Sequence, residues 1–308
     1  MSIKNTVIKA YPYVLGLIIL ILVWREFSQD NVINIFSELS IWIVIFCFLF
    51  YFVIKIANTL RYAHFFKIKN LVKLFFVLNL ANFILNFVPF RLGEYSYIKL
   101  FKSRFNIEHK LSISRLLVVR LFDYVVLLIF FIFSSLFVLS YFSPKFSYLY
   151  VIFILPLVAL ILLLYIFIKS NKVLGKYKIY QTVRLGILEV RTYGYLEIVV
   201  LLFNSIIYWG LRFSFGYLLI FLLGIKISFL LVTFITCILL IIGLIPIQVF
   251  SNFGIFEFSW IYFLGVLNIG ISEQEIFNKI IIFHVVPLIP VIIIGIISYL
   301  ALRHSSSK

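Results

Sequence analysis

The chain has 308 residues, of which 64% are hydrophobic and only 12% are charged. A soluble domain is about a quarter charged, so this chain has too few charged side chains to cover a water-facing surface. The net charge of +16 would also suit a nucleic-acid-binding protein, but the basic residues lie between long apolar runs and no nucleic-acid-binding motif is present. The composition therefore indicates an integral membrane protein without a soluble catalytic domain.

Long apolar runs recur along the chain, and several approach the roughly 20 residues that span a bilayer as an α-helix. They occupy residues 41–54, 124–142, 149–168, 198–223, 227–247 and 280–300. Backbone amides in lipid need internal partners, so these runs are expected to be helices. We predict an all-α integral membrane protein, a bundle of about eight transmembrane helices. It would form a single domain over residues 1–308, divisible into halves 1–145 and 146–308.

A short apolar run follows Lys4 and Lys9 at the start of the chain and ends at Val23-Trp24-Arg25-Glu26. A basic start followed by an apolar run is also typical of a secretory signal peptide, but a signal peptide ends in small residues. No small-residue cleavage site follows here, so we predict a retained first helix.

The basic residues cluster in three blocks, and these predict the orientation because Lys and Arg concentrate in cytoplasmic loops. The blocks span residues 55–73, 91–120 and 169–191, whereas the other loops carry few bases. We therefore predict a multi-pass protein of the cell (cytoplasmic) membrane with both termini in the cytoplasm.

Residues 74–90 are apolar but lie between two basic blocks, so a full crossing would place one block outside. Asn79, Asn82 and Asn86 share one helix face, and Pro89 disrupts a continuous helix. Irregular backbone at membrane depth is tolerated only against protein or water. We favour a re-entrant hairpin that returns to the cytoplasm, with a spanning helix as the alternative.

A weaker echo of this segment occurs in the second half of the chain. Residues 88–95 place a proline, a glycine and a glutamate after an apolar run, and residues 245–257 place the same residue types at a different spacing. If the two copies enter the membrane from opposite faces, they form an inverted repeat with broken helices, a recurring transporter architecture.

These segments resemble the lysylphosphatidylglycerol synthase transmembrane region, a family also described as the flippase-like domain. It includes the membrane half of the bacterial multiple-peptide-resistance proteins. The resemblance extends from about Ile8 to Arg303. Its motifs are Pro89-x-Arg91-x-Gly93-Glu94, Arg120-Leu121-Phe122-Asp123 and Gly254 to Glu257. Departures from the family are Val119 where an acid is frequent, Ser251-Asn252-Phe253 in place of a glycine-rich stretch, and His284 where arginine is common.

The resemblance implies a flippase or scramblase that moves polar-headed lipids, phospholipids or polyprenyl-linked lipids, between leaflets. In the resistance proteins an attached soluble domain makes the aminoacylated lipid. This chain ends at Lys308, soon after its last apolar run, so we expect no synthase activity. The sequence has no G-x-x-x-x-G-K-[ST] loop for ATP, so transport would be downhill or driven by a gradient.

Polar residues near the broken helices are the candidate headgroup-binding residues. They are Asn82, Asn86, Arg91, Gly93, Glu94, Arg120, Asp123, Arg212, Asn252, Gly254 and Glu257. Arg91 would hold a lipid phosphate with Glu94 as its counter-charge, or the two form an interfacial ion pair. Arg212 should face the bundle interior, because an arginine at mid-bilayer costs about 2.5–3.5 kcal/mol. Its candidate partners are Glu94 and Glu257.

Two further interpretations concern acidic residues. Arg120 and Asp123 suit either an ion pair that anchors a helix start or headgroup contact. Glu94 and Glu257 would approach a shared cavity if the two halves oppose each other. A carboxylate pair that shares a proton would then permit proton-coupled transport.

Two other functions remain open. An integral-membrane lipid enzyme needs a nucleophile with a base or clustered metal ligands, and the sequence contains neither pattern. A noncatalytic membrane partner of a lipid-modifying enzyme or glycosyltransferase needs no such residues. The partners we expect are membrane lipids with anionic or phosphate-bearing headgroups, without a cofactor, a metal or a nucleic acid.

Overall fold

The computed structural model describes residues 39–88, 93–138, 181, 193–242, 251, 253–267 and 270–304. Within these ranges the chain forms helices and no strand. The helices are α1 (Ile41–Phe66), α2 (Leu71–Phe87), α3 (Glu94–Phe105), α4 (His109–Val138), α5 (Tyr195–Leu222), α6 (Phe229–Ile242), α7 (Ile255–Val266), α8 (Glu273–Val285) and α9 (Leu288–His304). The predicted first helix and the run at 149–168 lie outside the described residues, so the predicted number of spans stays a prediction.

Four of the described stretches are long and apolar enough to cross a membrane. They are α1, α4, α5 and the stretch Glu273–His304, which α8 and α9 form together, whereas α2, α6 and α7 are shorter apolar helices. Large apolar side chains cover the outside of the bundle, as Trp42 at 73% and Leu136 at 71% exposure illustrate. Such a surface is stable only in lipid, so the prediction of a multi-pass helical membrane protein is confirmed.

The helix α1 is longer than the apolar run that predicted it. We placed Lys55 and Arg61 in a basic loop, and that placement is wrong, because both lie within α1 and are 7% and 2% exposed. An apolar run identified by hydropathy ends at its first charged residue. A helix continues past that residue when the charged side chains face other helices rather than lipid. Lys67 ends α1 in a left-handed conformation. The predicted basic loop is therefore limited to the residues next to Lys67.

The second basic block also contains helices. The amphipathic helix α3 lies within it and buries Tyr97 and Phe101, which lie four residues apart on one face. The helix α4 begins at His109, so Arg120 and Asp123 lie well inside a helix rather than at its start. The expectation of a helix start at these residues is therefore wrong.

The helices α2 and α3 form an antiparallel hairpin. At one end the Lys73 ammonium lies 5.5 Å from the centre of the Phe105 ring. Towards the other end the Ser96 hydroxyl donates to the Ala81 carbonyl at 3.4 Å. Gly93 lies against the backbone of Leu85, where a Cβ would come within 2.9 Å of the Leu85 nitrogen. The basic ends of the two helices consequently lie at the same end of the hairpin.

The helix pairings are similar in the two halves. The helices α1 and α5 are antiparallel, since Phe46 stacks on Phe215 at 6.0 Å and the Tyr193 hydroxyl donates to the Phe65 carbonyl at 3.2 Å. Likewise α2 packs on α9, and α4 packs on α6. The helices α3 and α7 contact α4 and α8 respectively. If α8 and α9 are counted as one element, exchange of α1, α2, α3 and α4 with α5, α6, α7 and α8–α9 reproduces this set of pairings.

The last apolar run differs from its predicted form as a single helix. Val286 and Pro287 form a turn between α8 and α9. Proline lacks an N–H and clashes with the preceding helical turn, which explains the interruption. The break lies next to His284, a buried residue at the end of α8.

Candidate functional site

Polar side chains that are mostly buried extend through the bundle from the start of α3 to the start of α7. We call this set the polar trail. Its members are Glu94, Arg120, Asp123, Arg61, Tyr208, Arg212, Lys55, Tyr51, Asn82, Asn86, Ser251, His284 and Glu257. It includes every charged residue that we predicted at the site and that the structure describes.

The polar trail contains a buried ion pair between Arg61 of α1 and Asp123 of α4. Their side chains are 2% and 6% exposed. The same Asp123 oxygen accepts a hydrogen bond from the Trp209 indole at 2.8 Å, and Asn58 accepts one from Arg61 at 3.2 Å. Because α1, α4 and α5 all meet at this carboxylate, the contacts favour an ion pair that holds helices together over direct headgroup contact by Asp123.

Glu94 joins this ion pair through Arg120. The Arg120 guanidinium lies 3.2 Å from Glu94 Oε1 and 3.8 Å from Asp123 Oδ2. The side chains of Arg120 and Glu94 are 48% and 41% exposed, so this end of the polar trail is open. We predicted that Glu94 pairs with Arg91, but Arg91 lies outside the described residues.

Arg212 lies near the middle of α5 among aromatic rings. Its guanidinium donates to the Tyr208 hydroxyl at 3.4 Å and lies 4.9 Å from the centre of the Trp209 ring. The Arg61 guanidinium lies 4.1 Å from the centre of the Tyr208 ring. The two acids that we named as candidate partners of Arg212 contact Arg120 and His284 instead. Arg212 itself is exposed, whereas we expected it to face the bundle interior.

Lys55 and Tyr51 connect this cationic part to the amides of α2. The Lys55 ammonium lies 4.8 Å from the centre of the Tyr51 ring. The Tyr51 hydroxyl accepts a hydrogen bond from the Asn82 amide at 3.3 Å. Sequence reasoning missed Lys55, although Tyr51, Lys55 and Tyr62 lie on one face of a helix that no proline or glycine interrupts.

The asparagines of α2 link the first broken segment to the second. The Asn86 amide donates to the Asn82 carbonyl at 2.7 Å, and the Ser251 hydroxyl donates to the Asn86 side-chain oxygen at 3.4 Å. Ser251 precedes α7 in the segment that we matched to residues 88–95. The last turn of α2, which leads into residues 88–95, is therefore in contact with the segment matched to those residues, and their separation in the sequence does not reveal this.

Glu257 and His284 form the other end of the polar trail. Glu257 is 3% exposed and contacts His284 Nδ1 with one oxygen, while its second oxygen accepts from the Gly254 N–H at 2.7 Å. The other ring nitrogen of His284 donates to the Ser251 carbonyl at 2.9 Å. Because the Ser251 carbonyl can only accept, the ring nitrogen that faces it carries a hydrogen, and the other ring nitrogen is left to contact Glu257. We had not assigned His284 a role, because 27 residues separate it from Glu257.

The two glutamates occupy similar places in the fold. Glu94 and Glu257 lie in the first turns of α3 and α7, which each have 12 residues and a glycine N-cap. Gly254 has a φ of 89°, a conformation that favours glycine. Glu94 contacts Arg120, and Glu257 contacts His284. Asn252 lies outside the described residues. In the described ranges, no group of three or more His, Cys, Asp or Glu side chains could hold a metal ion.

Comparison with known proteins identifies the family. No curated protein matches the chain, and no solved structure matches it. A family model described as "Lysylphosphatidylglycerol synthase TM region" matches residues 10–295. The matched range includes the whole polar trail and nearly the whole chain, and it confirms the resemblance seen in the motifs. This multi-pass membrane protein belongs to the lysylphosphatidylglycerol synthase transmembrane-region family.

Proposed function

We propose that this protein moves polar-headed lipids between the two leaflets of the membrane, as a flippase or scramblase. The observation that carries this proposal is the polar trail, which passes through a bundle with an apolar exterior. Ionisable side chains within a membrane face protein or a watery cavity, and they often mark the path of a substrate. A headgroup would move along the polar trail while its tails stay in lipid.

The hairpin of α2 and α3 supports a re-entrant arrangement. The 17 residues of α2 measure about 25 Å and the 12 residues of α3 about 18 Å. Both are shorter than the roughly 30 Å of the hydrocarbon core. Since the basic ends of the two helices lie together, we infer that the hairpin enters and leaves the membrane on the cytoplasmic side. The antiparallel α1 and α5 support an inverted repeat of the two halves.

An apolar groove of about 440 Å³ lies on the outside of the bundle between α1, α2 and α9. Among its described lining residues only Thr59 is polar, and the Thr59 hydroxyl already donates to the Lys55 carbonyl at 2.7 Å. Two of these helices, α1 and α2, thus present a tail-compatible surface outside and also carry residues of the polar trail. This division suits a lipid that keeps its acyl chains in the bilayer while its headgroup crosses.

Transport by the purified chain in vesicles would test the proposal. Vesicles would carry a fluorescent phospholipid in both leaflets, and dithionite, which does not cross the membrane, would bleach the outer pool. Wild-type protein should make the inner pool accessible, and Glu94→Gln and Glu257→Gln should slow this process. The matched control is Glu275→Gln, since Glu275 pairs with Lys279 at 2.7 Å outside the polar trail.

Three outcomes would contradict the proposal or its site. A wild-type rate equal to that of protein-free vesicles would refute lipid transport. Equal rates for the wild type and all three variants would refute the assignment of the glutamates. Release of a cleaved product from radiolabelled lipid would identify an enzyme instead.

A further inference from the structure

We propose that Lys55, Arg212, Tyr51 and Tyr208 form a binding site for the phosphate of a lipid headgroup that carries no positive charge. We call these four residues the central cation site. The inference rests on the proposed function and names the class of lipid that would be moved. It also assigns a role to Lys55, which the sequence had placed in a loop.

The first observation is a buried lysine without an acid. Lys55 is 7% exposed and lies near the middle of α1, far from either end of the helix. Its ammonium faces the Tyr51 ring, and no carboxylate or hydrogen-bond acceptor contacts it within the described part of the chain. Arg61, six residues further along α1, has Asp123 as its partner. Burial without a partner disfavours the charged form of an amine, so an anion that reaches Lys55 would stabilise its ammonium.

The second observation is an arginine with free donors. A guanidinium has five N–H groups. Of the acceptors that the structure describes, only the Tyr208 hydroxyl takes a hydrogen bond from Arg212. Arg212 is exposed although it lies near the middle of α5, so its guanidinium is accessible to a ligand. A planar guanidinium with free donors suits bidentate contact with phosphate.

The two cations lie at one place. The antiparallel helices α1 and α5 touch at Phe46 and Phe215 and again at Arg61 and Tyr208, and Lys55 and Arg212 lie between these two contacts on their own helices. The helices that carry them are in contact where Arg61 lies over the Tyr208 ring. The positive charges of Lys55 and Arg212 repel each other, and an anion between them would stabilise both. The hydroxyls of Tyr51 and Tyr208 would donate further hydrogen bonds to phosphate oxygens.

The charge balance of the polar trail determines the class of ligand. Four cations, Lys55, Arg61, Arg120 and Arg212, stand against the carboxylates of Asp123 and Glu94 in this part of the polar trail. At the other end Glu257 contacts His284 rather than one of these four side chains. A phosphate with one or two negative charges offsets the excess of positive charge. A headgroup with an added ammonium would not, so the favoured substrate is an anionic phospholipid or another lipid phosphate.

A binding experiment can separate this site from general surface attraction. The full chain, purified in detergent, would be titrated with dioctanoyl phosphatidic acid and with dioctanoyl phosphatidylcholine, and bound lipid counted by native mass spectrometry. Inorganic phosphate forms a third arm. The variants are Lys55→Met and Arg212→Gln, with Lys102→Met as control, because Lys102 carries the same charge on the exposed side of α3.

We expect the wild type to bind phosphatidic acid at least roughly tenfold more tightly than phosphatidylcholine, the effect of one charge-assisted hydrogen bond. Lys55→Met and Arg212→Gln should each remove this preference. Lys102→Met should leave both affinities within about twofold of the wild type. Equal weakening by Lys55→Met and Lys102→Met would overturn the proposal in favour of surface attraction. Equal wild-type affinity for both lipids, or for inorganic phosphate and phosphatidic acid, would also overturn it.

The variants should fold, because methionine replaces a buried lysine with an apolar side chain of similar length. If Lys55→Met does not fold, Tyr208→Phe, which removes only a hydroxyl, takes its place with the same expected loss of preference. Vesicle transport distinguishes the two proposals. Transport without a preference for phosphatidic acid contradicts the central cation site alone, whereas selective binding without any transport contradicts the proposed function alone.

Discussion

Replacement of Asp123 by asparagine should destabilise the bundle strongly. The change is nearly isosteric, and the new amide would keep an oxygen to accept from Trp209, whose indole lies 2.8 Å from the Asp123 carboxylate. What it removes is the charge opposite Arg61, which is 2% exposed. Loss of one partner of a buried ion pair costs about 3–5 kcal/mol, because the other charge stays buried without compensation. The half-exposed Arg120 at 3.8 Å adds little, since exposed pairs contribute about 0–1 kcal/mol.

A double-mutant cycle tests this expectation. Wild type, Asp123→Asn, Arg61→Met and the double variant would be unfolded by increasing SDS in mixed micelles, with circular dichroism as the readout. The double variant should be more stable than the sum of the two single effects predicts, because neither charge is then left alone. If Asp123→Asn lowers the free energy of unfolding by less than about 1 kcal/mol, or if the two effects simply add, the ion pair does not hold the helices together as described.

Three further predictions concern other contacts. Gly93→Ala should lower stability by about 1–3 kcal/mol, because its Cβ would lie 2.9 Å from the Leu85 nitrogen, whereas Gly265→Ala, with nothing within 4 Å, should leave the SDS midpoint unchanged. Trp209→Phe should cost about 1.5–3 kcal/mol by the same measurement, since it keeps an aromatic ring but removes a hydrogen bond to a carboxylate. Lys55→Met should leave the thermal midpoint in detergent equal or higher, and a clear fall would show that Lys55 already has a stabilising anionic neighbour.

The hairpin of α2 and α3 shows how far local sequence signals reach. The two basic blocks around residues 74–90 and Pro89 predicted a re-entrant hairpin, because charge and proline are local signals. The structure shows one helix, α2, through most of this segment with α3 packed antiparallel on it, and the re-entrant path stays a prediction. The extent of α1 was not predictable in the same way. Hydropathy treats Lys55 as the end of a run, and only contact with α5 and α2 explains why a helix carries a lysine there.

The polar residues show the same limit. Asparagine spacing placed Asn82 and Asn86 on one face of α2, as helical periodicity requires. The contact of Asn86 with Ser251 joins residues 165 positions apart, and no periodicity encodes it. The pairing of Glu257 with His284 was likewise missed. The sequence indicated that polar groups in apolar surroundings need partners, but it did not indicate which ones.

The sequence by itself determined that this protein is a helical membrane protein of its family. A chain that is 64% hydrophobic and 12% charged has no stable alternative to helices in lipid, and the short glycine and glutamate motifs are readable in one dimension. The tertiary structure alone decided which charges are neutralised and which are not. Arg61 and Lys55 are similar in sequence context, yet α4 supplies Asp123 to the first, and the described part of the bundle supplies no acid to the second. The reason is physical, because electrostatic stabilisation depends on distances between helices, which packing sets and sequence separation does not.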